Sequence, residues 1–247
     1  MKIRMKRIFL LATGFLGLVS ISRAQQSLLV VQDAHAELRS TESFHSIKVS
    51  QAIDVVISQG TEDAVVVSAA EPAYRNRITT EVRDGVLTLS IEPGLTFRWN
   101  KKNPALKVYV SIRQLRSVEA AGASNVKING VLRSESLSIN LSGASNFKAE
   151  LLVSTLKVRQ SEASTSIFKG RVAHLDVVVT GASDFNGFEL ASDKSIATAS
   201  GASDIRLTVN QELKVNSSGA SDIQYKGTAV ITEFHTSGAG SIRKRDK

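Results

Sequence analysis

Three aspartates at repeated spacing give this chain its most direct opening to chemistry. Asp184, Asp204 and Asp222 each follow a Gly-Ala-Ser phrase, at Gly181-Ala182-Ser183, Gly201-Ala202-Ser203 and Gly219-Ala220-Ser221. Stacked on one edge at the strand spacing of about 4.8 Å, their carboxylates would repel one another unless cations, backbone donors or water compensated. Two functions suit such a column: a calcium site, or a pair of carboxylates for cleaving a polysaccharide. The competing reading is structural. In other copies of the phrase the same position is Asn125, Asn146, Thr165 and Ser241. A metal ligand or general acid does not drift to Thr or Ser, whereas a side chain that caps a turn does. The substitutions favour a capping ladder. No catalytic, cofactor-binding or metal-binding residue is therefore assigned, and Asp184, Asp204 and Asp222 stand only as cation candidates.

What positions these residues is a repeat. The phrase occurs at 122, 143, 162, 181, 201, 219 and 238, counted at its second residue, in steps of 21, 19, 19, 20, 18 and 19. Seven copies at one period mark a solenoid. Four residues before the marker stand Val118, Ile139, Val158, Val177, Ala197, Val215 and Phe234; four after it stand Val126, Phe147, Ser166, Phe185, Ile205, Ile223 and Ile242. Stacking the coils turns each column into a continuous inner ladder. Runs such as Leu137-Ser138-Ile139-Asn140-Leu141 alternate with period two, the pattern of strands with one face inward. Strands recurring in one direction pair in parallel, so the expected fold is all-β: a parallel β-helix, right-handed by the usual crossover preference, with two or three short strands per coil. Gly-Ala-Ser should form a corner, with Gly free to take positive φ and the invariant Ala pointing inward. Because Glu162 replaces the glycine once, a left-handed residue is not expected in every coil.

Ahead of the repeats, residues 44–114 read as less regular first coils or a capping β-layer. Arg77 to Val82 and Val86 to Ile91 flank Arg83-Asp84-Gly85, a strong hairpin signal. No stretch has a sustained helical period with caps, so helix should be almost absent. Residues 92–104 form a loop carrying Phe97, Arg98 and Trp99, the candidate exposed recognition patch or, equally, an aromatic plug over the open end of the coil stack.

Other chemistries find no support. His35, His45, His174 and His235 show no metal-ligand spacing. Gly143-Ala144-Ser145-Asn146-Phe147 lacks the second glycine of a nucleophile elbow, and no nucleophile–base pair emerges. There is no cysteine, hence no disulfide framework and no lipid-modified cysteine.

Residues 1–24 read as a signal peptide: a basic head at Lys2, Arg4, Lys6 and Arg7, an apolar run Ile8 to Ile21, and Ser22-Arg23-Ala24 before the cut. The run is too short to span a bilayer, so the chain is expected not to be transmembrane after cleavage. Of the formal charge of +8, this leader carries five basic groups and no acid, leaving +3, and residues 243–247 contribute a net +3. The body from 25 to 242 is neutral and lacks the basic face that nucleic acid requires. Residues 25–43 read as a linker or a loosely docked first segment, and 243–247 as a solvated basic tail.

The leader, the opening Phe44-His45-Ser46-Ile47-Lys48-Val49-Ser50-Gln51-Ala52-Ile53-Asp54-Val55-Val56-Ile57-Ser58-Gln59-Gly60 and the iterated Ser-Gly-Ala-Ser-Asp together resemble the putative auto-transporter adhesin, head GIN domain family. The resemblance covers about residues 44–242, read as one unit with the regular repeats from 115. It implies a β-helical, exported, non-enzymatic envelope protein. The export signal, the ladder of polar edges and the lack of a catalytic constellation point to one that contacts glycan or another surface protein, in the periplasm, at the cell surface or outside the cell. The rival is a polysaccharide lyase or hydrolase built on the aspartate column. Departures from the phrase at Glu162 and Gly240 mark the coils expected to be irregular.

Overall fold

The computed structural model describes residues 33–92 and 105–245. The expected leader and the loop bearing Phe97, Arg98 and Trp99 lie outside these residues. In the first half, short β-branched runs between turn residues give β1 (Glu37–Arg39), β2 (Ser46–Val49), β3 (Asp54–Gln59) and β4 (Ala64–Ser68). A one-turn helix α1 (Pro72–Arg75) then leads to β5 (Ile78–Arg83), β6 (Val86–Ile91), β7 (Lys107–Ile112) and β8 (Ser117–Ala120). The single turn of α1 is all the helix among the described residues. Arg83 pairs with Val86 across Asp84 and Gly85, both at positive φ, as the Asp-Gly signal requires.

These strands do not stack in chain order. β2 lies between β6 and β8, and β3 between β7 and β9 (Asn125–Leu141), all parallel. The chain thus builds one coil from β2 and β3, lays β6 and β7 on its outer side, and crosses back to begin β8 on its inner side. Antiparallel pairs β1–β4, β4–β7 and β5–β6 add a layer around this end. Coil and cap are both present. Of residues 25–43, the described part docks rather than links: Glu37, Leu38 and Arg39 pair with Val67, Val66 and Val65.

From β9 onward the stack is regular: β10 (Asn146–Gln160), β11 (Thr165–Val179), β12 (Asp184–Ala199) and β13 (Asp204–Ser217), then β14 (Asp222–Lys226), β15 (Val230–Thr236) and β16 (Ser241–Lys244). The chain is a β-solenoid of about seven turns with coils about 19 residues apart. Each central coil is one long bent strand of 14 to 17 residues rather than two or three short ones. Both inner columns run in register as expected, from Val118 through Ile139, Val158, Val177, Ala197 and Val215 to Phe234, and from Val126 to Ile242. Phe234 is nevertheless 54% exposed, because no further described coil covers it. Arg243 and Lys244, read as tail, belong to β16 and pair with Gln224 and Tyr225.

Inside the stack the rings of Phe147, Phe168 and Phe185 lie 5.6 and 5.3 Å apart, tilted. Such contacts add about 0.5–1.5 kcal/mol each beyond area burial. Ser166 interrupts the Phe147–Phe185 column, and Phe168, two residues further along the same strand, fills the gap with its ring.

At the corners the inward residue is serine, which corrects the reading of alanine. Ser124, Ser145, Ser164, Ser183, Ser203 and Ser221 are all at most 1% exposed, while Ala123, Ala144, Ala163, Ala182, Ala202 and Ala220 face solvent. A corner that encloses backbone carbonyls rewards a donor and not a methyl. The hydroxyls of Ser124, Ser203 and Ser221 donate to the carbonyl oxygens of Ala121, Ser200 and Ser218, each at 2.9 Å. The residue before alanine is left-handed in every copy, and Glu162 keeps φ at 67°. The conformation is conserved through the stack even where its usual residue is not. Elsewhere glycine is needed twice over: a Cβ on Gly201 would lie 2.7 Å from the Gly181 carbonyl oxygen below it.

Candidate functional site

Side chains directly after the corner serines, with Lys107, Asp54 and Ser241 in register with them, point outward in one column that crosses the stack. Its order is Lys107, Asp54, Asn125, Asn146, Thr165, Asp184, Asp204, Asp222 and Ser241. The three candidate aspartates are therefore in-register neighbours, as the spacing requires. They do not cap their own turns; the buried serines do that, and the column bonds along itself. Asn125 Nδ2 donates to Asp54 Oδ1 at 2.7 Å, and Asn146 Nδ2 to Asn125 Oδ1 at 2.9 Å. Arg206 supplies the positive charge between two of the aspartates, with Nη1 3.2 Å from Asp184 Oδ1 and Nη2 3.1 Å from Asp204 Oδ2. Asp222 accepts from Gln224 Nε2 at 2.6 Å and from the Ser241 hydroxyl. Burial raises the Asp222 pKa, but these hydrogen bonds and the charges of Arg243 and Arg245 outweigh it and hold the carboxyl below its ordinary value. Among the described residues no three His, Cys, Asp or Glu side chains gather as a metal site.

The next outward column, two residues on, runs Tyr109, Val56, Lys127, Lys148, Ile167, Asn186, Arg206, Gln224 and Arg243. Between the two columns, at their N-terminal end, lies an open groove of about 420 Å³ bordered by Tyr109, Val56, Lys127, Asn146, Lys148 and Ile167. Nothing in the sequence reading pointed there, because its residues come from β3, β7, β9, β10 and β11, and the β7–β3–β9 order is not sequential. A smaller groove of about 200 Å³ lies on another face, beside His174, Lys194, Ile196 and Lys214. Its charges are internally paired: Lys194 lies 3.2 Å from Glu212, and Lys214 3.7 Å from Glu233. Hydrogen bonds from Lys194 and Thr232, with the nearby lysine charges, lower the Glu212 pKa.

A parallel solenoid with outward side-chain ladders, one of them ending in an open groove, defines a scaffold class of β-proteins in which faces rather than pockets are presented. The chain belongs to the family described as putative auto-transporter adhesin, head GIN domain, whose model matches residues 43–229. Among solved structures, a putative adhesin from Bacteroides fragilis is 20% identical, with a TM-score of 0.77 over 85% of this chain and 96% of its own. A putative adhesin from Parabacteroides distasonis is 18% identical, with a TM-score of 0.69 over 85% and 96%. A protein from that organism described as a putative lipid binding protein is 17% identical, with a TM-score of 0.68 over 87% and 98%. At such identities these likenesses establish the fold. A search of curated proteins finds no match.

Proposed function

We propose that this protein is an exported, non-catalytic adhesin-type scaffold that uses the outer faces of its solenoid to hold a glycan or a surface protein, in the periplasm, at the cell surface or outside the cell. Family membership supports the adhesin class. No helix among the described residues is long and apolar enough to cross a membrane. The observation that carries the reading is the open groove between two in-register outward columns. Side chains repeating at strand spacing on a rigid stack suit a repeating ligand, because each rung meets an equivalent group. The lyase or hydrolase reading loses its basis in the aspartate column, since Asp184 and Asp204 share Arg206, and Asp222 is hydrogen-bonded to Gln224 and Ser241. Screening the purified protein on a glycan array and against extracellular proteins, alongside reducing-sugar and lyase assays on the same glycans, tests the proposal. Saturable binding without turnover is expected. Turnover abolished by Asp184→Ala or Asp204→Ala would overturn it.

A further inference from the structure

We infer that the groove beside Tyr109 is a binding site for an acidic glycan, one whose sugars carry carboxylates. This rests on the adhesin reading and names its ligand class. Lys127 and Lys148 are exposed and stand directly opposite each other on adjacent parallel strands. Like charges in register are destabilising, and at several other rungs lysine stands beside acid, as in Lys48–Glu119 at 2.7 Å and Lys169–Glu189 at 2.6 Å. No carboxylate of a described residue makes an ion pair with Lys127 or Lys148. Lys107 lines the same groove, though it also meets the charge of Asp33; at the groove itself the three lysines face one aspartate, Asp54, whose Oδ1 already accepts from Asn125. The groove is electropositive on a body whose sequence is neutral overall.

Its remaining chemistry suits a sugar. Tyr109 and Val56 supply a half-buried apolar surface at one end, and Ile167 another beyond the lysines. The Asp54–Asn125–Asn146 chain passes its hydrogens one way, so Asn146 Oδ1 receives none from a described residue and is left to accept from a hydroxyl. From Tyr109 to Lys148 is three strand spacings, about 14 Å, the reach of a short oligosaccharide rather than a single ion. A groove open at its ends, with stacking surface, hydroxyl acceptor and paired ammonium groups, fits a uronate chain better than an acidic peptide, which has no hydroxyl-bearing ring to use the first two.

The test uses the purified protein and titration calorimetry with oligogalacturonides, matched neutral galacto-oligosaccharides and poly-glutamate. Oligogalacturonides should bind, more weakly as salt rises. Lys127→Gln with Lys148→Gln should weaken binding by about tenfold or more, as loss of charge partners at an interface does. Tyr109→Ala should weaken it with little change in the salt dependence. Far-UV circular dichroism of each variant confirms that the coils remain. No binding of oligogalacturonide, binding indifferent to the lysines, or equal binding of poly-glutamate would each overturn the inference. Neutral glycans or proteins captured with the lysines replaced would overturn it while leaving the broader adhesin reading intact.

Discussion

The hydroxyl of Ser166 donates to Oε1 of Gln160 at 2.6 Å, with both side chains sealed inside the stack. The amide of Gln160 faces the Asp184 carbonyl oxygen at 3.1 Å and that of Ser164 at 3.3 Å. A polar residue in an apolar ladder is thereby fully employed. Gln160→Leu should cost about 1–3 kcal/mol, since it strands the buried Ser166 hydroxyl and takes the side-chain donor away from the Ser164 and Asp184 carbonyls. Adding Ser166→Ala should recover about 1 kcal/mol, because partners in one network are not additive. Urea denaturation of the two single variants and the double variant checks this. Simple additivity would show that the two side chains are energetically independent.

At the neighbouring corners the stability order should follow serine and not alanine. Ala202 is exposed, so Ala202→Leu should stay within about 0.5 kcal/mol of the parent. Ser203→Leu forces a larger side chain into a filled corner and should cost about 1–3 kcal/mol. Ser203→Ala, which removes the hydroxyl that faces the Ser200 carbonyl at 2.9 Å and the Val179 carbonyl at 3.1 Å, should fall between them at about 1 kcal/mol. Melting temperatures that rank Ala202→Leu as the most damaging would refute the inward assignment of serine.

The reversal of alanine and serine shows what the sequence could carry. Period and alternation are properties of one chain segment at a time, so the coil length, both inner columns and the Asp84-Gly85 hairpin were legible. Recurrence does not say which way a side chain faces: alanine stands in all seven copies and serine in six, yet the carbonyls enclosed at the corner turn the serine inward. The groove was illegible for another reason. Tyr109 meets Val56 and Lys127 because β7 lies outside β3 while β9 lies inside it, and no local pattern encodes that order. The three aspartates stand in register, as their spacing requires, but the guanidinium that joins two of them comes from Arg206, two residues beyond Asp204.

Low pH should release the crossing that begins β8. Asp63 is almost wholly covered, with 6% of its side chain exposed, and it accepts from the backbone N–H of Arg113 at 3.0 Å and from its guanidinium at 3.0 and 3.3 Å. Burial raises the pKa of this carboxyl, yet the Arg113 bonds and charge, with Ser43, bring it below the ordinary value. A depressed folded-state pKa contributes stability that is fully present above the unfolded value of about 3.9 and is lost as pH falls through the folded value. The urea midpoint of the parent should drop more between pH 5 and about pH 2.5 than that of Asp63→Asn. Parallel pH profiles would mean that Asp63 does not couple to folding.

Removing the guanidinium shared by Asp184 and Asp204 separates a structural column from a latent cation site. Both carboxylates and Arg206 are roughly a third to a half exposed, so the ion pairs are screened and Arg206→Gln should cost less than about 1 kcal/mol. It leaves two in-register carboxylates without their counter-charge, and their repulsion invites a hard cation with oxygen preference. Millimolar calcium should therefore raise the Tm of Arg206→Gln while leaving the parent unchanged, with sodium chloride at matched ionic strength separating binding from screening. Replacing Asp204 by Asn in the variant should abolish the calcium effect. A parent protein stabilised by calcium as strongly as Arg206→Gln would mean that the column holds a cation with Arg206 in place, and the structural reading of the three aspartates would fail.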